Sequence, residues 1–562
     1  MKNIWAVARH TFAQCIRMKI AAAFILLLAV CLLGLPYMMT GDGTLAGNIR
    51  TFLSYSVSIT GVLLSIVTVL VTVSVVSGDI TEKHIYLIIA KPLARWEYII
   101  GRWFGVVLLN AVLLAVAAGS IFLFSQYLRE KQARNSVDRR AVETEIFTAR
   151  EELKPIPPEY ERIIARIVAQ YKQDGSYKSI LNGYELQKGL TPENAEKAFY
   201  KDLVDLVKAR LWSAPPGGSL QWMFEGLPVS DAKALGAGNI ESVEVEKGQR
   251  RMLGITVPVW LAGRLVPRGP VTINGVSGEV LFLDKGRFLV SFNAANMQRG
   301  EVINLKEGDK VEVLADPTIQ FRYKAKAGGG GSQQSLNRVI EFYSVKIQAP
   351  PAGSKEQPRL VAGNAITRVS GTGPMGSMTT VTVAAAKELS EGKLMVQYIN
   401  RPSTTSVSIK SDDVSILYRV GDFTGNFTRA ILLVFCQLIF LASLGVFLGS
   451  FLSFPVGALS CMVLLASGWI LDWLADALGF GKADFGGQDF VSQMGFVVTY
   501  VVKVLMPNFA EMSPSEKLVD GINIRWLAVG STVLWSIIIR TTFYLVVGCL
   551  IFRKRELAKV QV

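Results

Sequence analysis

Residues 77–103 read SGDITEKHIYLIIAKPLARWEYIIGRW, a polar and basic stretch between two long apolar runs. Lys83, Lys91, Arg95 and Arg102 carry its positive charge, and an excess of bases beside apolar spans marks the cytoplasmic side of a membrane protein. Asp79, Glu82, Lys83 and His84 form a polar cluster ahead of the apolar run 85–90, and Lys91-Pro92-Leu-Ala-Arg95 follows it. A loop that merely ties two spans together has no need of that apolar run. A helix–Pro–helix bent along the membrane face would offer charges and one apolar side to a soluble partner.

The flanks agree with this frame. The 562-residue chain has a mean hydropathy of +0.35, and the apolar residues gather in its first 126 and last 137 residues. Between them lies sequence of ordinary soluble texture, so the membrane part is one unit cut by an insert. Residues 1–19 place Ile4, Trp5, Ala8, Phe12, Cys15 and Ile16 on one helical face, as an interfacial helix would. Apolar runs at 20–39, 51–76 and 105–124 precede the insert, and runs at 423–451, 456–477 and 526–552 follow it. Each approaches the ~20 residues needed to span. The apolar part of 491–506 is short, holds Lys503 and stops at Pro507, so 478–525 is expected to contain a re-entrant or interfacial segment.

The expected fold is a polytopic α-helical membrane protein with six transmembrane helices, arranged 3+3. The insert is α+β and mostly β. The expected divisions are an N-terminal membrane half over 1–126, a helical part of the insert over 127–218, a β-rich part over 219–422, and a C-terminal membrane half over 423–562. Helices are expected over 126–152, 159–170 and 192–211. From about 219 the texture turns to period-two alternation, as in 278–283, 287–292, 319–323 and 393–399, which suggests a sandwich or barrel. Six spans put both termini in the cytoplasm of a plasma (inner) membrane protein and the insert 127–422 outside. The basic segments 1–19, 77–103 and 553–559 then share one side.

The net charge of +14 divides evenly, +7 in 128–425 and +7 elsewhere. Orientation and attraction to anionic headgroups account for it without a nucleic-acid partner. All five cysteines lie outside the insert, and the two histidines are His10 and His84. The insert therefore lacks the usual residues of a metalloenzyme or a Ser-His-Asp hydrolase, and no metal or cofactor is expected. No GxxxxGK[ST] occurs, so ATP is not bound through that loop, and a transporter of this shape would draw energy from another polypeptide. Arg540 falls inside the last span, where a charge faces an interior or snorkels to the surface.

The set Glu82, Leu87, Lys91-Pro92-Leu93, Arg95 and Gly101-Arg102 resembles the first cytoplasmic segment of ABC-2 type transporter permeases. The branch it is most similar to is that of the multicopper-enzyme-maturation permeases. Met506-Pro-Asn-Phe509 and Phe552-Arg-Lys-Arg-Glu-Leu557 resemble the same family, so the likeness covers about 1–126 and 426–562. It implies a six-span permease subunit, itself not an enzyme, paired with a second permease subunit (homo- or heterodimer) and two copies of a cytoplasmic ATP-binding subunit. It implies ATPase contact through Asp79, Glu82, Lys83, His84, Lys91, Arg95 and Arg102. The large insert departs from compact members. The alternative is a non-transporting, membrane-anchored assembly or binding protein acting through its exported β domain.

Overall fold

The computed structural model describes residues 2–38, 43–82, 94–134, 136–158, 160–188, 191–227, the strands and turns within 233–401, and 406–477, 500, 504 and 506–554. The helices, in chain order, begin with α1 (Lys2–Arg17), α2 (Lys19–Met38), α3 (Leu45–Thr81), α4 (Arg95–Glu130) and α5 (Ser136–Ala141). Next come α6 (Tyr160–Gln173), α7 (Ser176–Lys188) and α8 (Pro192–Leu211). After the strands follow α9 (Phe423–Gly449), α10 (Phe454–Ala477) and α11 (Trp526–Arg553). The chain forms two compact units, Met1–Ala149 with Gly421–Val562, and Arg150–Val420.

In the first unit, α3, α4, α9 and α11 are long and apolar enough to cross a membrane. The described apolar part of α10, Phe454–Ile470, is shorter. The centre is α9: 78% of its apolar window is buried, against 22% for α11, which turns most of its surface outward. Close approach to α3 explains this. A Cβ on Gly445 would come within 2.8 Å of Thr72 Cβ, and one on Gly449 within 3.2 Å of Val76 Cβ. Small residues let helix backbones meet where lipid supplies no hydrophobic drive.

The hydroxyls of α3 do not oppose lipid burial. Ser56, Ser65, Thr68, Thr72 and Ser77 each donate to the carbonyl four residues earlier, so the β-branched and hydroxyl-rich run stays helical. Two polar pairs cross between helices: the Asn110 side-chain amide lies 3.0 Å from Thr68 Oγ1, whose one proton goes to the Leu64 carbonyl, and Gln437 Nε2 donates to Ser65 Oγ at 3.1 Å.

Exposed aromatics stand near both ends of the long helices. Trp5 and Trp96 lie at one end, and Tyr127 and Trp526 at the other. From Trp96 to Tyr127 the rise along α4 is about 46 Å. That matches the ~40–45 Å of a bilayer with its headgroups, where aromatic belts form.

The single helix expected over 126–152 is not formed. α4 ends at Glu130, α5 and a π turn (Val142–Ile146) follow, and Thr148–Leu153 is a strand. The break lets Asp138 cap α3: the backbone N–H of Leu45 and of Ala46 each donate to its carboxylate at 2.8 Å. Arg129 folds back on Glu143. Composition favoured helix here, but capping a buried helix end outweighs local propensity.

The second unit holds a helical cluster and the sheets. α6, α7 and α8 pack around Phe199, ringed by Tyr171, Tyr177, Tyr184 and Tyr200. One four-stranded sheet runs Arg359–Gly373, Leu336–Gln348, Lys393–Asn400, Ser219–Glu225. A second runs Thr148–Leu153, Val414–Asp422, Thr318–Lys324, Met378–Ala384. Alternate residues Leu220, Trp222, Phe224 of the first and Ile319, Phe321, Tyr323 of the second share one core, as in a β-sandwich. A seven-stranded antiparallel sheet takes the strands from Lys233–Asn239 to Lys310–Ala315.

Candidate functional site

Of the stretch 77–103, residues 77–82 close α3 and residues 94–103 open α4, while residues 83–93 lie outside the described residues. At that end of the first unit α1, α3, α4 and α11 converge.

The seating of α1 follows from Gly101 and Gly105, one helical turn apart on α4. A Cβ on Gly101 would stand 2.6 Å from Val7 Cβ, and one on Gly105 would stand 2.5 Å from Thr11 Cβ and 2.7 Å from the Ala8 carbonyl. Only glycines admit this crossing, and the spacing is the small-xxx-small pattern of close helix pairs. The buried face of α1 is accordingly Ala8, Thr11 and Cys15, while Trp5 and Ile16 stay about half exposed, Trp5 with its ring 6.3 Å from that of Phe104. The interfacial face expected from periodicity is thus split: Ala8 and Cys15 go to α4, and Trp5 and Ile16 keep part of their surface outward. Burial pushes the Cys15 thiol up to about 12, against a smaller opposing effect of Arg102, so it serves as a packing group.

Gly105→Leu should lift α1 from α4. Overpacking of this kind costs about 1–3 kcal/mol. Tryptic cleavage at Arg9 should then quicken by roughly tenfold or more. Unchanged protection would show that the glycine contact does not seat α1.

An ion pair locks the same corner. Asp79 of α3 and Arg102 of α4 are each 3% exposed and bonded to one another. The Tyr98 hydroxyl donates to the same carboxylate oxygen at 2.5 Å. Arg102 reaches on to α1, donating through Nη1 to Thr11 Oγ1 at 3.1 Å and Gln14 Oε1 at 2.6 Å. Its guanidinium also lies over the Tyr98 ring at 5.2 Å. One arginine therefore ties three helices. Asn3 Nδ2 adds a bond to Glu97 Oε2 at 3.2 Å.

The end of α11 joins through Phe552, whose ring stacks on Tyr98 with centroids 5.6 Å apart. Arg95 Nη1 donates to the carbonyls of Phe552, at 3.3 Å, and of Arg553, at 2.7 Å. A cation at the final carbonyls of a helix suits its negative end.

The residues singled out from sequence fall into three groups. Asp79 and Arg102 are buried and hold the corner together; they have no surface to touch a partner. Glu82 is exposed at the end of α3, and Arg95 is half-buried, spending one nitrogen on α11. Lys83, His84 and Lys91, with the apolar run 85–90, lie outside the described residues. Sequence reasoning missed Thr11, Gln14 and Tyr98, and named Phe552 only as the first residue of the closing motif. The spacing Gly101-x-x-x-Gly105 was the available signal for the α1 contact.

No family model, curated protein or solved structure matches the chain.

Arg540 lies in a π-helical stretch of α11, Val533–Thr541, and its Nε donates to the Val504 carbonyl at 3.0 Å. Thr541 Oγ1 donates five residues back, to Ser536 O at 2.9 Å. The arginine thus spends a donor on a backbone carbonyl of another segment rather than on a carboxylate. Of the segment 478–525, residues 478–499, 501–503 and 505 lie outside the described residues. Among the described residues no three His, Cys, Asp or Glu side chains converge as metal ligands would.

Proposed function

We propose that this chain is the permease subunit of an ABC-2 type transporter, moving a substrate across the membrane at the expense of ATP hydrolysed on a separate subunit. The observation that carries the reading is the rigid corner where α1, the end of α3, the start of α4 and the end of α11 are bound together by Arg102. A soluble motor can move membrane helices only by pressing on a part that does not yield, and a buried, multiply bonded ion pair makes such a part. The corner flanks residues 83–93, whose charges and apolar run suit docking. Six spans, cytoplasmic termini and an extracytoplasmic insert belong to the same reading, as does pairing with a second permease subunit. The sequence has no GxxxxGK[ST] loop, and this reading assigns ATP hydrolysis to the separate subunit.

The test is purification of the full chain from native membranes in mild detergent. An ATP-binding subunit should co-purify. Glu82→Lys with Lys91→Glu reverses charge at both ends of the 83–93 segment and leaves the Asp79–Arg102 pair intact. Charge reversal across an interface costs several kcal/mol, so capture should fall by about tenfold or more. A chain that never carries an ATPase would favour the anchored binding protein.

A further inference from the structure

The geometry points to a seat for one anionic phospholipid, held in the groove between the first turns of α4 and the length of α11. The groove encloses about 990 Å³. One end is basic, formed by Arg95 and Arg553, and the walls are apolar, with Trp103, Ile537, Leu545 and Cys549 among them. That is the shape of an amphiphile with a negative head. The inference rests on insertion of the long helices in a bilayer and is independent of the transporter reading.

Three observations decide the occupant. First, the charge at the mouth is one-sided. Arg95 places Nη1 on the carbonyls of Phe552 and Arg553, which leaves its other donors for a head group. Arg553 is exposed, and the sequence continues Lys554-Arg555-Glu556, a net gain of one further positive charge, with 555 and 556 outside the described residues. The nearest acid on α4, Glu97, is turned to Asn3 of α1 and to the Ala94 backbone N–H. Second, the depth fits. From Arg95 to Trp103, α4 rises about 12 Å, and from Ile537 to Arg553 α11 rises about 24 Å, so the two walls together cover the ~15 Å of one leaflet's hydrocarbon. Third, the mouth lies at the level of Trp96, which is 51% exposed as an interfacial aromatic would be. A lipid phosphate at that height meets the arginines while its chain follows α11 inward. A zwitterionic lipid brings an ammonium along with its phosphate and would leave the net charge of the two guanidinium groups unbalanced.

The experiment uses the full chain in nanodiscs of equal phosphatidylglycerol and phosphatidylcholine, released and weighed by native mass spectrometry. One phosphatidylglycerol should be retained per chain, preferred at least about fivefold, the size of effect one cation has near anionic lipid. Arg553→Gln should lower that preference by about the same factor. Ile538, 55% exposed on the groove wall, offers a second variant that does not enter the core. Ile538→Trp should obstruct the groove along its wall and lower lipid retention with both arginines in place. Equal retention of the two lipids overturns the proposal, and so does phosphatidylglycerol that stays bound in Ile538→Trp. A disulfide-linked dimer that forms through Cys549 and disappears in Cys549→Ser overturns it in favour of a second copy seated in the groove.

Discussion

Replacing Arg102 by methionine should destabilise the membrane unit by about 3–5 kcal/mol, the cost of leaving one member of a buried ion pair without its partner. Asp79 is 3% exposed, and among the described residues its other donor is the neutral Tyr98 hydroxyl. A single interhelical hydrogen bond in a membrane protein averages only about 0.6 kcal/mol, and an exposed ion pair contributes about 0–1 kcal/mol. The large effect therefore comes from the stranded carboxylate, not from the bonds lost to Thr11 and Gln14. The double variant Asp79→Asn, Arg102→Met separates the two. It removes both charges and keeps an acceptor for Tyr98, so more than half of the lost stability should return. Thermal unfolding of the wild type, both single variants and the double variant closes the cycle. A loss below about 1 kcal/mol in Arg102→Met, or no recovery in the double, would show that the corner is held by packing alone.

That pair also shows where sequence reading stops. Asp79 and Arg102 looked like a contact surface because they flank a basic loop, and charge beside a span is ordinarily solvated. Their burial depends on two facts that no single segment carries. α3 and α4 continue past their apolar cores, so residues 77–81 and 95–103 are helical and face one another. The glycines at 101 and 105 then bring α1 close enough to cover them. The apolar runs were legible because lipid demands about 20 apolar residues whatever the neighbours are. The strand at 319–323 was legible because alternation survives without its partners. The strand Arg359–Gly373 was not, since its glycines and mixed polarity give no alternating face, and it is defined by pairing with Leu336–Gln348. The break after Glu130 was likewise hidden, because it serves a cap on α3, some ninety residues away in sequence.

Phe321→Ala should cost the second unit about 3–5 kcal/mol and leave the first unit intact. The ring is 1% exposed and lies within 6.3 Å, centroid to centroid, of Trp222, Phe224, Tyr323 and Phe342. Its strand runs between two others, and its face meets the opposite sheet, so the space left by truncation is bounded by rigid neighbours and closes poorly. Calorimetry of the full chain should show one transition move down and the other stay, because each unit has its own core. The same variant separates the two functional readings. If the corner around Arg102 docks an ATPase, capture of that subunit depends on the first unit and should persist at temperatures where the weakened sandwich has melted. If the protein acts as an anchored binding domain, partner capture should vanish with the sandwich. Loss of ATPase capture in Phe321→Ala, with the membrane unit still folded, would therefore count against docking at the corner and move the functional surface to the β unit.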